Sequence, residues 1–126
     1  IATTEDDLMA SNSKAALAVL KQLQLGRAAF EKVLQYVLQQ AKPEIKNVYA
    51  GSCAYLKLCG LVLGAWQMAR ALLAAERLHN QDPVFYGAKI ITAQFFSENI
   101  LPQASALAAS ITEGGAITNT MTVEQF

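Results

Sequence analysis

The sequence predicts an all-α fold, an antiparallel up-and-down bundle of three to four long helices followed by an irregular tail. Three observations predict it. Val48 to Leu78 is apolar almost all the way round at helical spacing, as in a helix that the rest of the chain covers. The stretch before it places Leu20, Leu23, Phe30, Leu34, Val37 and Ala41 close to a seven-residue rhythm, with Lys21, Arg27, Glu31, Lys32 and Gln35 mostly opposite. The apolar stretches are joined by short segments carrying Lys42-Pro43 and Asp82-Pro83, and a short turn makes long helices antiparallel neighbours. No segment carries a strand signal strong enough to predict a sheet.

The first helix is expected over residues 4–41. Thr3-Thr4 offers a capping hydroxyl and Glu5-Asp6-Asp7 put acids in the first turn, where the helix dipole favours them. Gly26 stands in the middle and marks a bend or break, leaving one long helix or two stacked pieces. Lys42-Pro43 ends the element, because proline disfavours the helical conformation in the residue before it.

The second helix is expected over residues 44–79. At about 100° per residue, Cys53, Gly60, Gly64, Ala71 and Ala75 fall on one narrow stripe, with Tyr55, Leu58, Val62, Trp66, Leu72 and Leu73 on the opposite side. Each interior glycine costs about 1 kcal/mol against alanine, so the stripe is read as the seat of a tight helix crossing. A cofactor brushing the bare backbone is the lesser alternative.

Asp82 caps a third helix, residues 83–101, with Pro83 at its first position. Val84, Ala88, Ile91 and Phe95 suffice to face the core. Phe85 and Phe96 share another arc with Lys89, Thr92 and Asn99, so Phe85, Lys89 and Phe96 are the candidate interface. Pro102 either kinks this helix or restarts it as a fourth, residues 102–113, which Gly114-Gly115 stops. In the tail, Ile117, Met121, Val123 and Phe126 are candidates to lie back across the bundle.

The 126 residues suffice for one domain with a real core, and 53% hydrophobic against 16% charged residues excludes disorder. Ten acids balance ten bases, scattered along the chain, so no electrostatic footprint for nucleic acid is present. A membrane span is not expected either, because Lys57 and Arg70 interrupt the central helix. The opening IATTEDDLMA has no initiator Met and no basic leader segment, so a fragment of a longer protein is expected. Cys53 and Cys59, on different helix faces, read as reduced core residues of an intracellular, cytoplasmic protein.

Little chemistry is visible. The one histidine, His79, stands at a helix end as a solvated side chain, and Glu31, Glu44, Glu76, Asp82, Glu98 and Glu113 are isolated from one another. Gly60 and Gly64 lie within a helix and Gly114-Gly115 follows one, so none opens a phosphate-cradling loop. Metal-ligand spacings are likewise missing. Arg70 and Lys89 sit amid apolar neighbours and are expected to bury their stems, or to pair with an acid such as Glu76 or Glu98. A bundle with more apolar surface than it can hide points to an interface.

Two stretches carry a family resemblance: Ala54-Tyr55-Leu56-Lys57-Leu58-Cys59-Gly60 with Gly64-Ala65-Trp66 and Ala69-Arg70, and KIITAQFFSENILP from Lys89 to Pro102. Together they resemble the C-terminal helical extension of one branch of the acyl-CoA dehydrogenases. Gln94 departs from the pattern, standing where an arginine is expected before the aromatic pair. The resemblance implies a parent oxidoreductase of fatty-acid metabolism that binds FAD and removes hydrogens from the α and β carbons of an acyl-CoA thioester. Its glutamate base and flavin contacts lie outside these residues, so the fragment itself is expected to be inactive and to bind no FAD. The implied partners are the catalytic domains of the same chain and a second copy in a homo-oligomer. A stand-alone helical interaction module is the competing expectation.

Overall fold

The computed structural model describes residues 1–125, and their regular structure is entirely helical. Helix α1 spans Ala2–Ser11, α2 Lys14–Gln40, α3 Ile45–Ala50, α4 Ser52–Leu78, α5 Pro83–Phe95 and α6 Gln103–Gly114. A π-helical turn, Phe96–Ile100, joins α5 to α6, and short 3₁₀ turns occupy Ile117–Asn119 and Val123–Gln125.

α2 and α4 run antiparallel, tied by Ser13 to Glu76 at one end and by Phe30 stacked on Tyr55 at the other. The α5–π–α6 segment forms one bent arm across both, with Phe96 against Gly64, Leu101 against Gly26 and Ile111 against Gly51. α1 folds back along both α2 and α4, and the Trp66 indole N–H donates to Thr4 Oγ1 at 2.9 Å. Leu8, Leu23, Val33, Leu58, Val62, Leu72, Leu101 and Ile111 are all but sealed from solvent and join the elements into one core.

The first long helix breaks at Asn12, not at Gly26. Asn12 adopts the left-handed conformation, φ 52°, and its N–H bonds to the Leu8 carbonyl, the helix stop that asparagine tolerates best after glycine. Ser13 then caps α2, its hydroxyl accepting from Ala16 N–H at 2.9 Å. No side chain caps the start of α1, because Thr4 and Glu5 are turned inward and buried. Glu5 Oε1 lies 2.9 Å from Arg27 Nε. The guanidinium N–H is not aimed at that oxygen, which has no hydrogen-bond donor, so the contact is an ion pair without hydrogen-bond geometry.

The second long helix divides at Gly51 into α3 and α4. Gly51 is buried, and a Cβ there would meet Ile111 Cγ2 at 3.1 Å, so α6 closes on bare backbone where the two helices change direction. At the other end the start of α5 is as the sequence predicts, with Asp82 Oδ1 accepting from Phe85 N–H at 3.0 Å and Pro83 in the first turn.

Pro102 restarts the helix, and it also widens the turn before it. Proline has no N–H and its ring crowds the carbonyl four residues back. The preceding turn relaxes into i to i−5 pairing, with Leu101 N–H bonding to the Phe96 carbonyl at 3.0 Å. That turn drives Leu101 onto α2, where a Cβ on Gly26 would lie 2.9 Å from Leu101 Cδ1. It also buries the Ser97 hydroxyl without a partner. Ser97→Ala is therefore expected to be neutral or to stabilise by up to roughly 1 kcal/mol, since it removes an uncompensated desolvation penalty. A urea midpoint lowered by the change would show that the hydroxyl is satisfied.

The tail does not lie back on the bundle. Ile117, Met121 and Val123 are exposed, and the remaining candidate, Phe126, lies outside the described residues. Asn119 anchors the tail to α3 through Asn47 Oδ1 at 2.8 Å. α4 alone among the described residues is long and apolar enough to cross a membrane by length and composition. The central helix of a bundle meets the same test, and here α4 packs against α1, α2, α5 and α6.

Candidate docking surface

Among the described residues, the small-residue stripe of α4 is covered at Gly64 and Ala75 and open along the rest of its length. Cys53, Gly60 and Ala71 are exposed, and nothing lies within 4 Å of a Cβ built on Gly60. Of the five, Ala75 is buried and Gly64 is covered by Phe96, whose Cζ would meet a Gly64 Cβ at 3.2 Å. A still tighter approach occurs on α2, between Gly26 and Leu101. The outer side of α4 also exposes Leu56 and Leu63, so this helix is covered on one side only.

The α5 arc expected in the core faces outward instead. Val84, Ile91 and Phe95, expected in the core, are 85%, 68% and 56% exposed, while Ala93 and Ser97 are sealed. Small residues let α5 approach the bundle closely, and the π turn re-aims the side chains beyond it. Phe96 thereby lies half-buried over Gly64 and packs on the core, leaving the surface arc to which the sequence assigned it. Phe85 and Lys89 do stand at the surface, with Lys89 Nζ 5.1 Å from the centre of the Phe85 ring. The result is an apolar ridge of Val84, Ala88, Ile91 and Phe95 along the whole outer face of α5, flanked by Phe85 and Lys89.

The polar side chains show no catalytic constellation. His79 is half-buried at the end of α4, its Nε2 facing Gly87 at 3.9 Å from a Cβ built there. Cys53 and Cys59 are both free thiols, and Cys53 is exposed instead of core. Burial first, then the neighbouring Cys59, raises Tyr55 above its ordinary value of 10.0. Among the described residues, no three His, Cys, Asp or Glu side chains gather as metal ligands would. Arg70 and Lys89 are exposed and unpaired with acids among the described residues. Arg70 lies over the Trp66 ring at 5.4 Å and donates to Gln67 Oε1. Glu76 accepts from Ser11 and Ser13, and Glu98 from Gln94, so Gln94 keeps a one-turn contact where an arginine is expected.

One feature escaped the sequence reading. A trough of about 440 Å³ runs between α1 and α4, with Thr4 and Asp7 on one wall and Gln67, Arg70, Ala71, Leu73, Ala74 and Arg77 on the other. The spacing of Arg70 and Arg77, two turns apart, was the available signal. What hid it was that nothing in the sequence places α1 beside them.

A family model described as acetyl-CoA dehydrogenase C-terminal like matches residues 1–122. The chain belongs to this family. It is similar to 3-methylmercaptopropionyl-CoA dehydrogenase of Ruegeria pomeroyi, with 36% identity over 117 residues. That alignment covers 91% of this chain and 20% of the relative, so the chain spans about a fifth of the length of the curated relative it matches. No solved structure matches it significantly. The bundle is thus an acetyl-CoA dehydrogenase C-terminal-like domain, helical throughout its regular structure among the described residues.

Proposed function

We propose that this domain is a non-catalytic accessory of a cytoplasmic, FAD-dependent acyl-CoA dehydrogenase, and that the ridge on α5 seats it against the catalytic body of the same chain. The ridge is the observation that carries the reading. Three large apolar side chains more than half exposed on one helix face reduce the solubility of the isolated bundle and add nothing to its stability, whereas buried against a partner they contribute about 1.5–3 kcal/mol each. The family match supports the choice of partner.

In this reading the FAD isoalloxazine lies outside the domain. Gly60 and Gly64 lie mid-helix, so their N–H groups are engaged within α4. The cavity lined by Ile1, Phe30, Cys59, Val62 and Leu63 holds about 80 Å³, too little for a tricyclic ring. The flavin and the base that abstracts the α proton accordingly belong to the catalytic body, and this domain's contribution is to cover apolar surface and hold that body's shape.

Ile91→Asp tests the reading in the longer parent protein. Ile91 is exposed, so the isolated 126-residue chain should melt as before, to within about 0.5 kcal/mol. In the parent the buried aspartate should uncouple the domain, splitting one cooperative unfolding transition into two. A parent that still unfolds in one step, at the same temperature, would remove α5 from the contact.

A further inference from the structure

The trough between α1 and α4 sets four side-chain donors, on Thr4, Gln67, Arg70 and Arg77, around an apolar floor of Ala71, Leu73 and Ala74. Arg70 is held in place by the Trp66 ring beneath it and by Gln67, yet no carboxylate lies within 4 Å of it or of Arg77 among the described residues. Thr4 is 7% exposed and lines the trough; its Oγ1 accepts from Trp66, and among the described residues no acceptor takes its own proton. The Gln67 amide oxygen is engaged by Arg70, and its NH₂ donors remain free. Asp7, on the rim, is the only acceptor side chain among the trough's charged groups, and it lies beyond 4 Å from both guanidiniums. A buried hydroxyl with an undonated proton, lining the same trough as a pre-positioned guanidinium, is suited to receiving oxygen atoms that carry negative charge.

We propose that this trough binds a phosphate-bearing small molecule. Arg70 and Arg77 are seven residues apart, about 10 Å along the helix axis, so two separated phosphate groups meet two guanidiniums where a single phosphate meets one. The nucleotide end of a CoA thioester, with a phosphomonoester and a diphosphate, has that chemistry; this assignment rests on the proposed parent enzyme, whereas phosphate recognition itself does not. The shallow floor of Ala71, Ala74 and Leu73 leaves room for a flat or apolar spacer between the two charges.

Trp66 is the only tryptophan in the chain and sits between Thr4 and Arg70, so it reports on the site directly. The test titrates the 126-residue chain with inorganic pyrophosphate, adenosine 3′,5′-bisphosphate and uncharged adenosine, followed by Trp66 fluorescence and calorimetry. Saturable binding of the two phosphates but not of adenosine is expected. Arg70→Gln and Arg77→Gln should each weaken it about tenfold or more, the loss typical of a charge-assisted contact, while Lys32→Gln on α2 leaves it unchanged. A bisphosphate preferred over pyrophosphate identifies the CoA nucleotide as the source, and equal affinities identify free phosphates. Absence of saturable binding, or equal losses in all three variants, overturns the site. Because the Ile91 experiment does not involve α1, a silent titration beside an intact docking result removes this inference alone.

Discussion

Gly26→Leu should destabilise the isolated chain by about 3 kcal/mol, and Gly60→Ala should stabilise it by about 1 kcal/mol. The two glycines lie in the middle of long helices and carry the same backbone-entropy penalty, but their surroundings are opposite. A Cβ on Gly26 would already stand 2.9 Å from Leu101 Cδ1 and 3.3 Å from Cγ. Leu101 is 1% exposed and is followed by Pro102, so it has little freedom to retreat, and the added branches of leucine meet a filled core. At Gly60 nothing lies within 4 Å, so a methyl group meets no neighbour and the helix gains alanine's propensity. Urea denaturation of the two variants measures both values. A Gly26→Leu chain as stable as the original would mean that α2 and the π turn are not in contact.

Arg27→Met is expected to cost about 2–3 kcal/mol, more than its exposed position suggests. Its partner, Glu5, has a carboxylate side chain only 7% exposed, and removing the cation leaves that charge buried without compensation. Arg27 is 37% exposed at its side chain, so solvent screens part of the loss and keeps it at the low end for a broken buried pair. The second contact of Arg27, to Glu31 one turn along α2, is exposed at 3.5 Å and is worth a few tenths of a kcal/mol. Glu31→Gln should therefore be close to neutral. The double substitution Arg27→Met with Glu5→Leu should recover most of the stability, because an apolar pair of similar volume replaces both charges. If the double variant is no better than Arg27→Met alone, the loss comes from packing of the arginine stem instead.

Much of the fold was legible because its signals are local. The Asp82-Pro83 start and the Pro102 restart each follow from the conformational limits of one or two residues, whereas Gly115 after α6 keeps a right-handed helical conformation. The Asn12 break was equally available in Ser11-Asn12-Ser13, a left-handed stop next to a capping hydroxyl, but Gly26 drew the reading away because an interior glycine looks like a weak point. Its actual role depends on Leu101, 75 positions later, and no helical periodicity reports on that. The faces of α5 were illegible for a related reason. The arc of Val84, Ala88, Ile91 and Phe95 is the more apolar, so hydrophobicity chose it for the core, whereas size decided the packing: the small Ala93 and Ser97 are sealed where α5 and the π turn meet α4 and α2, while Phe95 and Ile91 stay outside. The stripe of Cys53, Gly60 and Ala71 was misplaced because small residues suit both a crossing within the bundle and a surface that something else covers.

The central claim is that the α5 ridge joins this domain to a catalytic body. Sedimentation velocity of the 126-residue chain mixed with the separately purified catalytic portion of its parent tests it most directly. Complex formation is expected with the unsubstituted chain, and Ile91→Asp or Phe95→Ser should abolish it while circular dichroism shows each variant still folded. A complex that forms equally well with both variants would contradict the account, as would the absence of any complex with the unsubstituted chain.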